Sequence, residues 1–413
     1  MEPTPAPLPA KVDVLVVGGG YAGLATAHEL AQGGAQVAVC EAAPFGHFAS
    51  ARNSGGVSFG LELETLRHYR KWLGLKGSDA AALAAEAAQA VDELAGFIEA
   101  ERIDCDFRMA GRLVAATSER RFRQFEARVA SLNRLFDARA YLVERRDQGS
   151  EIDGPNFHGL MVISRSGQLH PAKLLHGLLR CCRLAGVSLH ARTQVLSLQR
   201  QGAAFSAQTS RGPIECERIV LATNAHLHRL GEIGLERRVV PVVSNIVVTQ
   251  ELDQGLIDRL LPRRRTASDG RRVLAYFRVT PDGRRFLYGS RAAPGEISTE
   301  RATAILRARM VRSFPQLSNA RIDYAWGCQV AFTLDRIPHL GESAGIHFIT
   351  GCHGNGVAMM NHLGRKTARR ILSGERSAFD ANDFPRIPLY RGTPWFLPSM
   401  HRAYQFIDWK SER

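Results

Sequence analysis

A glycine-rich turn near the start of the chain constrains its fold more than any other feature. It stands in the segment VDVLVVGGGYAGLATAHEL, where an apolar, β-branched run leads into Gly18, Gly20 and Gly23. Such a run is typical of a buried parallel strand, and the glycines complete the pattern G-x-G-x-x-G before a helix. The first glycine permits a tight turn, the second lets the backbone approach a pyrophosphate, and the third lets helix and strand pack closely. The turn therefore predicts that part of a dinucleotide binds here.

An acid completes this motif. Tyr21 and Ala22 open the helix, whose N–H groups and partial positive charge would face the pyrophosphate. Glu41, followed by Ala42, ends the second apolar strand AQVAVC and lies 18 residues after Gly23. A carboxylate at this spacing is placed to accept a hydrogen bond from a ribose hydroxyl. A glycine turn without a ligand is the alternative, but strand, helix and spaced acid together favour a dinucleotide site.

The composition is that of a large globular enzyme. The 413 residues suffice for two domains, and 45% are hydrophobic against 23% charged. No apolar run reaches the roughly 18 residues that a membrane span needs. The proline-rich start MEPTPAPLPAK has no secretory pattern, and the seven cysteines have no C-x-x-C spacing. We therefore expect a cytoplasmic protein without a metal site.

The chain carries an excess of positive charge. Its 54 basic residues outnumber 40 acidic ones, which gives a formal net charge of +14. The arginines are dispersed, and no nucleic-acid-binding motif accompanies them. The charge therefore favours attraction of an anionic cofactor and substrate over binding of nucleic acid.

A second glycine turn lies near the other end of the chain. The segment IHFITGCHGNGVAMMNHL is a strand, a turn with Gly351, Gly354 and Gly356, and a helix. Two such turns suggest one extended cofactor held at two points, which favours FAD over NAD. The second helix N-terminus would then face the flavin pyrimidine edge. A purely structural strand-to-helix turn is the alternative.

The segments between the two turns mix helices and strands. Helical periodicity predicts helices over 79–104 and around 117–136. Residues 237–252 and 271–290 alternate apolar and polar side chains, and the sequence Pro281-Asp282-Gly283 predicts a hairpin within an antiparallel sheet. The last 35 or so residues contain four prolines and are interpreted as an irregular surface segment.

These motifs together resemble those of the FAD-dependent amine and amino-acid oxidases of the D-amino-acid oxidase (DAO) type. The motifs that carry the resemblance are GGGYAGLATAHEL, Glu41, ASARNSGG, SGQLHPAKL, IVLATNAH, YFRVTPDGRRFLYGS, YAWGCQVAFTLDRIPHLG and GCHGNGVAM. The nearest branch resembles the γ-glutamylputrescine oxidoreductases, with sarcosine and glycine oxidases as more distant relatives. The resemblance covers about residues 11 to 380.

The resemblance implies a mixed α/β fold, with a Rossmann-like FAD-binding domain and an interleaved antiparallel-sheet substrate domain. It also implies breakage of a C–H bond beside an amine, hydride transfer to flavin N5, and hydrolysis of the resulting imine. The expected boundaries are 1–80, 150–235 and 325–380 for the FAD-binding domain, 81–149 and 236–324 for the substrate domain, and 381–413 for a C-terminal surface extension.

Matching the motifs assigns FAD-binding roles to specific residues of this chain. The adenosine diphosphate half would contact the first turn and Glu41, the pyrophosphate and ring would contact the ASARNSGG segment, and the pyrimidine would contact the second turn. The residues so assigned are Gly18, Gly20, Tyr21, Ala22, Gly23, Glu41, Ala42, Arg52, Asn53, Ser54, Gly55, Gly56, Val195, Ala222, Thr223, Cys328, Gly351, Gly354, Asn355, Gly356 and Val357.

Several positions depart from the sarcosine-oxidase pattern. Cys328 falls where those relatives carry a cysteine bonded to the flavin, which leaves a covalent link open without favouring it over a buried free thiol. No lysine stands at FLYG, residues 286–289, where those relatives activate oxygen, and Ala358 replaces a lysine that binds a substrate carboxylate. Asn355 replaces a usual histidine. The departures argue against sarcosine as substrate and against rapid reaction with oxygen.

Three residues are candidates for catalysis. His353 lies within the second turn and could accept a proton from a substrate ammonium, although a turn residue bonded to backbone is an equal alternative. Tyr276 and Arg278 lie two residues apart and therefore on one face of a strand. Tyr276 could form an aromatic wall and Arg278 could pair with a carboxylate. A structural pair on the sheet surface is the alternative for both.

We therefore predict an FAD-dependent oxidoreductase that acts on an amine, an N-substituted amino acid or a γ-glutamyl polyamine. It would pass electrons to oxygen as an oxidase, or to a quinone or carrier as a dehydrogenase. The alternatives are a flavin-binding protein without catalysis and an NAD-linked dehydrogenase, which the second glycine turn opposes.

Overall fold

Two β-sheets of eight strands each form the framework of the protein. The computed structural model describes residues 7–63, 66, 77–226, 230, 233–381 and 383–412. The strands are β1 (Lys11–Val17), β2 (Val37–Cys40), β3 (Gly56–Val57), β4 (Arg112–Ala115), β5 (Ala140–Val143), β6 (Leu160–Ile163), β7 (Gly167–Gln168), β8 (Ser188–His190), β9 (Val195–Gln201), β10 (Ala204–Thr209), β11 (Gly212–Leu221), β12 (Val239–Thr249), β13 (Thr266–Asp269), β14 (Ala275–Val279), β15 (Phe286–Ser290), β16 (Ile322–Thr333), β17 (His339–Ser343) and β18 (Ile346–Thr350).

Helices cover the sheets and join their strands. Those in the described residues are α1 (Tyr21–Gln32), α2 (Gly77–Ala100), α3 (Glu119–Phe136), α4 (Pro171–Leu184), α5 (Gln254–Leu260), α6 (Thr299–Ser313), α7 (Gly356–Ser373) and α8 (Leu397–Glu412). The helices predicted over 79–104 and around 117–136 are confirmed as α2 and α3. None of the helices in the described ranges has the length and apolar character needed to cross a bilayer.

The first sheet is mainly parallel and carries both glycine turns. Its strand order is β17-β18-β11-β1-β2-β8, with β9 and β10 attached to β11 as an antiparallel ribbon. β1, β2, β8, β11 and β18 are parallel, so their carboxyl ends meet at one edge. The glycine turn after β1 and the turn after β18 therefore lie at the same edge of the sheet.

The helices that follow the two turns pack directly against each other. A Cβ atom at Gly364 of α7 would lie 2.4 Å from the carbonyl oxygen of Ala22 in α1. The Thr26 hydroxyl also donates a hydrogen bond to the Gly364 carbonyl oxygen at 3.0 Å. Only glycine permits backbones to approach this closely. The contact packs the first turn of α1 against the middle of α7.

The second sheet is mainly antiparallel, as predicted. Its order is β16-β12-β15-β14-β13-β4-β6-β5, and the β13–β4 pair is its parallel exception. The predicted hairpin joins β14 to β15, and the Gly283 N–H donates to the Thr280 carbonyl oxygen at 2.9 Å. One face packs on an aromatic cluster that includes Phe157, Phe277 and Phe314. The opposite face is free to form the site.

The observed sheets divide the chain differently from the expected domain boundaries at three places. β6 and β16 belong to the second sheet, although 150–235 and 325–380 were expected in the FAD-binding domain. Most of α2 was expected in the substrate domain, but it packs against α7, which follows a strand of the first sheet. The division into two functional domains stays a prediction.

The expectation of an irregular C-terminal segment is wrong for residues 397–412, which form helix α8. Pro398 is the second residue of this helix, where proline is tolerated because its missing N–H would have no partner within the helix. The prolines before it shape the chain between 385 and 396, but the sequence after Pro398 is free to be helical.

A buried histidine fastens α2 to α7. The His362 side chain is fully buried, and its Nδ1 and Nε2 atoms lie 2.6 Å from Glu93 and 3.0 Å from Glu86. Burial alone would lower the pKa of His362, but its hydrogen bonds to the two carboxylates raise it. Burial alone would likewise raise the pKa of Glu93, yet His362 and Arg369 lower it to about 2. The cluster is a charged cation held between two anions.

We expect His362→Ala to destabilise the protein by about 3 kcal/mol, because it leaves two partly buried carboxylates without their shared cation. Chemical denaturation of the two proteins measures the difference. His176→Ala, which removes an exposed histidine of α4, is the matched control and should change stability little. Equal stabilities of wild type and His362→Ala would contradict this account of the cluster.

The stabilisation should depend on pH with a defined sign. Because the folded-state pKa of His362 is raised, its contribution is complete below the unfolded value of 6.5 and is lost as the pH rises through the folded value. Because the pKa of Glu93 is lowered, its contribution is complete above 4.5 and is lost as the pH falls toward 2. The difference between wild type and His362→Ala should therefore be largest between these limits. A difference in stability that stays constant from acid to alkaline pH would contradict this pH dependence.

Candidate active site

A cavity of about 1550 Å³ lies between the carboxyl edge of the first sheet and the open face of the second. Its walls include residues at or just after the ends of β1, β2, β11 and β18, where ligands bind in open parallel sheets. Most small-molecule pockets enclose about 300–1,000 Å³. This cavity therefore has room for a long cofactor together with a substrate.

The first glycine turn is shaped by close backbone contacts. Gly18 has a φ angle of +107°, and a Cβ atom on it would lie 2.6 Å from the carbonyl oxygen of Ala222. A Cβ atom on Gly23 would lie 1.9 Å from the carbonyl oxygen of Gly18. Side chains at these positions would push α1 away from β1 and from the end of β11. The turn thus leaves the helix N-terminus open to the cavity, as an anion site requires.

Two side chains stabilise this turn. The carboxylate oxygens of buried Glu41 accept hydrogen bonds from the N–H groups of Gly19 at 2.9 Å and Ala43 at 3.1 Å. Each oxygen keeps a second lone pair, so the carboxylate can still accept a bond from a ribose hydroxyl. The Ser50 hydroxyl accepts a bond from the Tyr21 N–H at 3.0 Å. Sequence reasoning missed Ser50, although it lies within the ASARNSGG motif.

The second turn offers buried polar atoms to a ligand. Among the described residues, the Thr350 Oγ1 and His353 Nδ1 atoms are buried and have no hydrogen-bond partner, and both residues line the cavity. The described first turns of α1 and α7 contain no acidic residue that would repel an anion. Buried polar groups normally have partners. The second turn therefore fits the polar edge of a bound cofactor.

The segment after β2 crosses the cavity between the two sheets. The Asn53 amide donates to the carbonyl oxygens of Ala49 and Ser50 and accepts from the Gly55 N–H, so it fixes the loop's own shape. The Arg52 guanidinium donates to the His47 carbonyl oxygen at 3.0 Å instead of reaching into the cavity. Asn53 thus supports a cofactor-binding loop from within.

Most of the residues assigned from sequence come together in this one cavity. Gly23, Arg52, Gly55 and Gly351 are described but do not line it; they shape the backbone around it. The predicted residues that line it are Gly18, Gly20, Tyr21, Ala22, Glu41, Ala42, Asn53, Ser54, Gly56, Val195, Ala222, Thr223, Tyr276, Arg278, Cys328, His353, Gly354, Asn355, Gly356 and Val357. Their individual roles toward a ligand stay predictions.

Tyr276 and Arg278 share one face of β14, as predicted, but Arg278 already has partners. Its Nη1 donates to the carbonyl oxygens of Ser54 and Leu169, each at 2.9 Å, and burial lowers its pKa to about 10. Arg278 therefore positions the segment that carries Ser54, which differs from the expected pairing with a substrate carboxylate. The Tyr276 hydroxyl lies 2.9 Å from the Ser244 hydroxyl, and its ring forms part of the cavity wall.

His353 is neutral in this environment. Burial, reinforced by the charge of Arg336, lowers its pKa to about 3. Its Nε2 atom lies 3.1 Å from the Thr333 hydroxyl, which also lies 2.8 Å from a carboxylate oxygen of Asp335. Because the hydroxyl gives its proton to the carboxylate, Nε2 carries the histidine proton and Nδ1 keeps a lone pair. A base with so low a pKa is weak, which argues against the predicted role of His353 in taking up a proton.

Asn224 ties the two sheets together and was missed from sequence. Its amide donates to the Gln329 carbonyl oxygen at 3.0 Å and accepts from the Ala331 N–H at 3.2 Å, so the end of β11 is bonded to β16. Asn224 also lines the cavity. Asn224 could have been identified from the sequence, because it directly follows Thr223 in the motif IVLATNAH.

The far end of the cavity is lined by α3, β4, β13 and α8, and it is rich in arginine. Sequence reasoning missed this end because its residues come from segments that share no local motif. The lining arginines on or directly after these elements are Arg112, Arg120, Arg121, Arg128, Arg271 and Arg272. Arg291 donates to the Arg272 carbonyl oxygen, whereas Arg336 lies near His353 and pairs with Glu62.

Comparison with known proteins identifies the family. The FAD dependent oxidoreductase (DAO) family matches residues 13–370. A probable oxidoreductase of Haemophilus influenzae is 30% identical over 91% of this chain and 86% of its own length. The γ-glutamylputrescine oxidoreductase of Escherichia coli is 28% identical over 92% and 87%. The crystal structure of glycine oxidase from Geobacillus kaustophilus covers 90% of this chain and 97% of its own, with a TM-score of 0.76 and 23% identity.

The chain therefore belongs to the DAO family of FAD-dependent oxidoreductases, and the predicted fold and cofactor are confirmed. It is an enzyme, and its relatives are FAD-dependent amine and amino-acid oxidoreductases. The residues described above fit FAD, because the two helix N-termini, Glu41 and the buried polar atoms of the second turn all face one cavity.

We expect FAD to be held without a covalent bond. Burial raises the pKa of the Cys328 thiol to about 11, so little of the reactive thiolate is present near neutral pH. Acid precipitation of the purified protein should release the yellow colour into the supernatant. A yellow pellet that becomes colourless in Cys328→Ser would contradict this expectation.

Proposed function

We propose that this enzyme oxidises an amine whose molecule also carries a carboxylate, such as a γ-glutamyl polyamine or an N-substituted amino acid. The observation that carries the proposal is the arginine-rich far end of the cavity. Arginine recognises carboxylates through paired, charge-assisted hydrogen bonds.

Arg112 is the strongest candidate for binding the carboxylate. It lies on β4, lines the cavity and donates a hydrogen bond to the Ser268 hydroxyl at 3.0 Å. Burial and the charge of Arg128 lower its pKa, and Glu62 offsets this only in part. Among the described residues, the Thr266 hydroxyl is buried without a hydrogen-bond partner, and Thr266 pairs with Arg112 across the sheet. A half-buried cation of this kind is stabilised by an incoming anion.

Arg291, which directly follows β15, lies in surroundings similar to those of Arg112. Burial and the charge of Arg336 lower its pKa. Its guanidinium lies 5.6 Å from the ring centroid of Phe332 and donates to the Arg272 carbonyl oxygen at 3.0 Å. Two half-buried arginines, each beside another arginine, give the cavity an excess of positive charge, which the ion pair of Arg336 with Glu62 at 2.6 Å reduces only in part. That excess favours an anionic substrate group.

The similarity to γ-glutamylputrescine oxidoreductase supports the same substrate class. The molecule in that name carries a carboxylate at one end and a primary amine at the other. The arginines would hold the first group and direct the second toward the flavin end of the cavity. Ala358, in place of a lysine, supports a carboxylate site elsewhere than beside the second turn.

When bound, FAD accepts the two electrons of such an oxidation. The protein supplies binding, orientation and exclusion of water. The nitrogen lone pair of the neutral amine drives loss of the hydride, so a strong base is unnecessary, in agreement with the low pKa of His353. Tyr276 contributes an aromatic wall, and Arg278 positions the loop at Ser54.

A dehydrogenase that passes electrons to a quinone or carrier is the second candidate. Of the part of the chain that the structure describes, no lysine lines the cavity. The segment FLYG has Phe286, Leu287 and Tyr288 around the position where sarcosine-type relatives use a lysine. The missing lysine favours an acceptor other than oxygen.

We place the enzyme in a reducing compartment such as the cytoplasm. All seven cysteines are free in the structure. A protein of an oxidising compartment more often pairs its cysteines.

An anaerobic screen of amines and N-alkyl amino acids, followed by flavin bleaching, tests the proposal. Compounds that carry both an amine and a carboxylate should bleach the flavin. Peroxide measured during aerobic turnover then separates the acceptors, because bleaching without peroxide excludes an oxidase. Bleaching by none of the amines would favour a flavin-binding protein without amine oxidation.

A further inference from the structure

We infer that a zinc ion binds between α1, α4 and the end of α2, held by His28, Glu101 and Cys181. These residues offer a ring nitrogen, a carboxylate oxygen and a thiol sulfur, and the three atoms lie within 4.8 Å of one another. Among the described residues, no other three histidine, cysteine or acidic side chains meet this distance. Nitrogen, oxygen and sulfur are the donor atoms that zinc takes in proteins, whereas magnesium and calcium avoid sulfur.

The distance between sulfur and oxygen suits a tetrahedral ion. The Sγ atom of Cys181 lies 3.5 Å from Oε2 of Glu101. With a Zn–S bond of about 2.3 Å and a Zn–O bond of about 2.1 Å, tetrahedral angles place the two atoms about 3.6 Å apart. They therefore need to move little when the ion enters. His28 supplies the third ligand, and water can reach the fourth position because Glu101 is only half-buried.

The His28 side chain has a buried atom without a partner. His28 is 3% exposed, and its Nδ1 atom is buried and makes no hydrogen bond within the part of the chain that the structure describes. Buried polar atoms normally have a partner. The ring is held in place by edge-on packing against Phe97 of α2, with 5.6 Å between the ring centroids. A fixed imidazole of this kind is a common metal ligand.

Contacts that involve no ion position the three helical segments. α1 packs against α4, and the Sγ atom of Cys182 in α4 donates to the Leu24 carbonyl oxygen in α1 at 3.3 Å. The guanidinium of Arg180 donates to the Glu101 carbonyl oxygen, which joins the end of α2 to α4. Because the ligands are already held near one another, binding requires little ordering of the chain.

The charges of the ligands match those of the ion. Zinc displaces the thiol proton of Cys181, which leaves to solvent, so the ion is bound by a thiolate and by the Glu101 carboxylate. These two negative charges neutralise Zn²⁺. Two arginines nearby do not exclude it, because Arg365 pairs with Glu29 at 2.9 Å and Arg180 is exposed to water.

No metal site was predicted from the sequence, because the seven cysteines have no C-x-x-C spacing. The three ligands come from separate helical segments that only the fold brings together. None of them lines the large cavity, and His28 follows the start of α1 by about two turns, or roughly 10 Å. Zinc would therefore fasten α1 to its neighbours without contacting the flavin.

Zinc titration of the FAD-loaded enzyme without an affinity tag tests this inference. After metal is removed with a chelator, the wild type should bind one zinc ion per chain in competition with a coloured chelator. Saturation with zinc should raise its Tm by about 3 °C or more. Cys181→Ser and Glu101→Gln should each raise the Kd for zinc about a hundredfold or more, because each variant loses one of three protein ligands.

Cys182→Ser is the matched control, because Cys182 is similarly buried beside Cys181 but does not belong to the ligand group. It should bind zinc like the wild type. Flavin content should be normal in every variant, which separates loss of a ligand from loss of the fold. If Cys181→Ser loses its flavin, Glu101→Gln decides, since this side chain is only half-buried.

Failure of the wild type to bind zinc would overturn the inference and leave a hydrogen bond between the Cys181 thiol and the Glu101 carboxylate. Unchanged zinc binding in a folded Cys181→Ser or Glu101→Gln protein would overturn it too. An equal loss of affinity in Cys182→Ser would do the same, because it would attribute the effect to packing of α4.

Discussion

Gly23→Ala should yield a protein that has lost most of its bound FAD. The new Cβ atom would lie 1.9 Å from the carbonyl oxygen of Gly18. That oxygen belongs to the backbone and the Cβ atom is fixed to its own Cα, so α1 must move away from β1. Such overpacking costs about 3 kcal/mol, which corresponds to roughly a hundredfold weaker binding if the cost falls on the cofactor-bound state. The ratio of flavin to protein absorbance after gel filtration measures the loss.

Gly96→Ala is the matched control for this substitution. Gly96 lies within α2, and a Cβ atom there would meet nothing within 4 Å. Alanine favours a helix over glycine, so this variant should keep its FAD and gain slightly in stability. A Gly23→Ala protein with a full complement of FAD would show that the first turn does not hold the cofactor.

Arg112→Met should raise the Kd for a carboxylate-bearing amine at least about tenfold and leave FAD content unchanged. The variant removes a charge-assisted hydrogen bond to the substrate, and such bonds contribute about 1.5–3 kcal/mol. The dependence of the anaerobic bleaching rate on amine concentration gives the Kd. Arg112→Lys keeps the charge but not the paired donors, so it should recover part of the affinity.

Arg123→Met is the control for a general change of charge on the same protein. The Arg123 side chain on α3 is 74% exposed and pairs with Glu119, so its loss should leave the Kd unchanged. A second comparison uses an amine without a carboxylate, whose Kd should not rise in Arg112→Met. An equal rise for both amines would mean that Arg112 shapes the cavity instead of binding the carboxylate.

The glycine turns could be predicted from the sequence because their physics is local. Strand, glycine spacing and helix follow one another within the 22 residues from Lys11 to Gln32, and Glu41 directly follows the next strand. The prediction that both turns bind one cofactor needed more than a local pattern. Its structural basis, the contact of Gly364 with Ala22, joins helices that lie more than 300 residues apart.

The substrate end could not be predicted in the same way. Arg112 and Arg291 come from separate strands, and which face each occupies depends on the register of the whole second sheet. The face shared by Tyr276 and Arg278 followed from their spacing. The partners of Arg278, the carbonyl oxygens of Ser54 and Leu169, come from distant segments that no pattern connects to β14.

Helix α8 was not predicted, because four prolines in or before it, at 385, 388, 394 and 398, are typical of irregular structure. The segment 381–413 begins with an irregular, proline-rich stretch, but the helix starts at Leu397 and places proline where a helix accepts it. Its inward face, which includes Met400 and Tyr404, completes the far end of the cavity. A hydrophobic spacing of three and four residues after Pro398 was the available signal.

The most direct test compares two amines that differ by one group. Anaerobic enzyme is mixed with γ-glutamylputrescine or with putrescine, and bleaching of the flavin is followed over time. If the arginines of the far end bind a carboxylate, γ-glutamylputrescine bleaches the flavin at low concentration and putrescine does so poorly or not at all. Equal bleaching by both amines would contradict the requirement for a carboxylate. Bleaching by putrescine alone would contradict it too, because it would show a preference for the amine without a carboxylate.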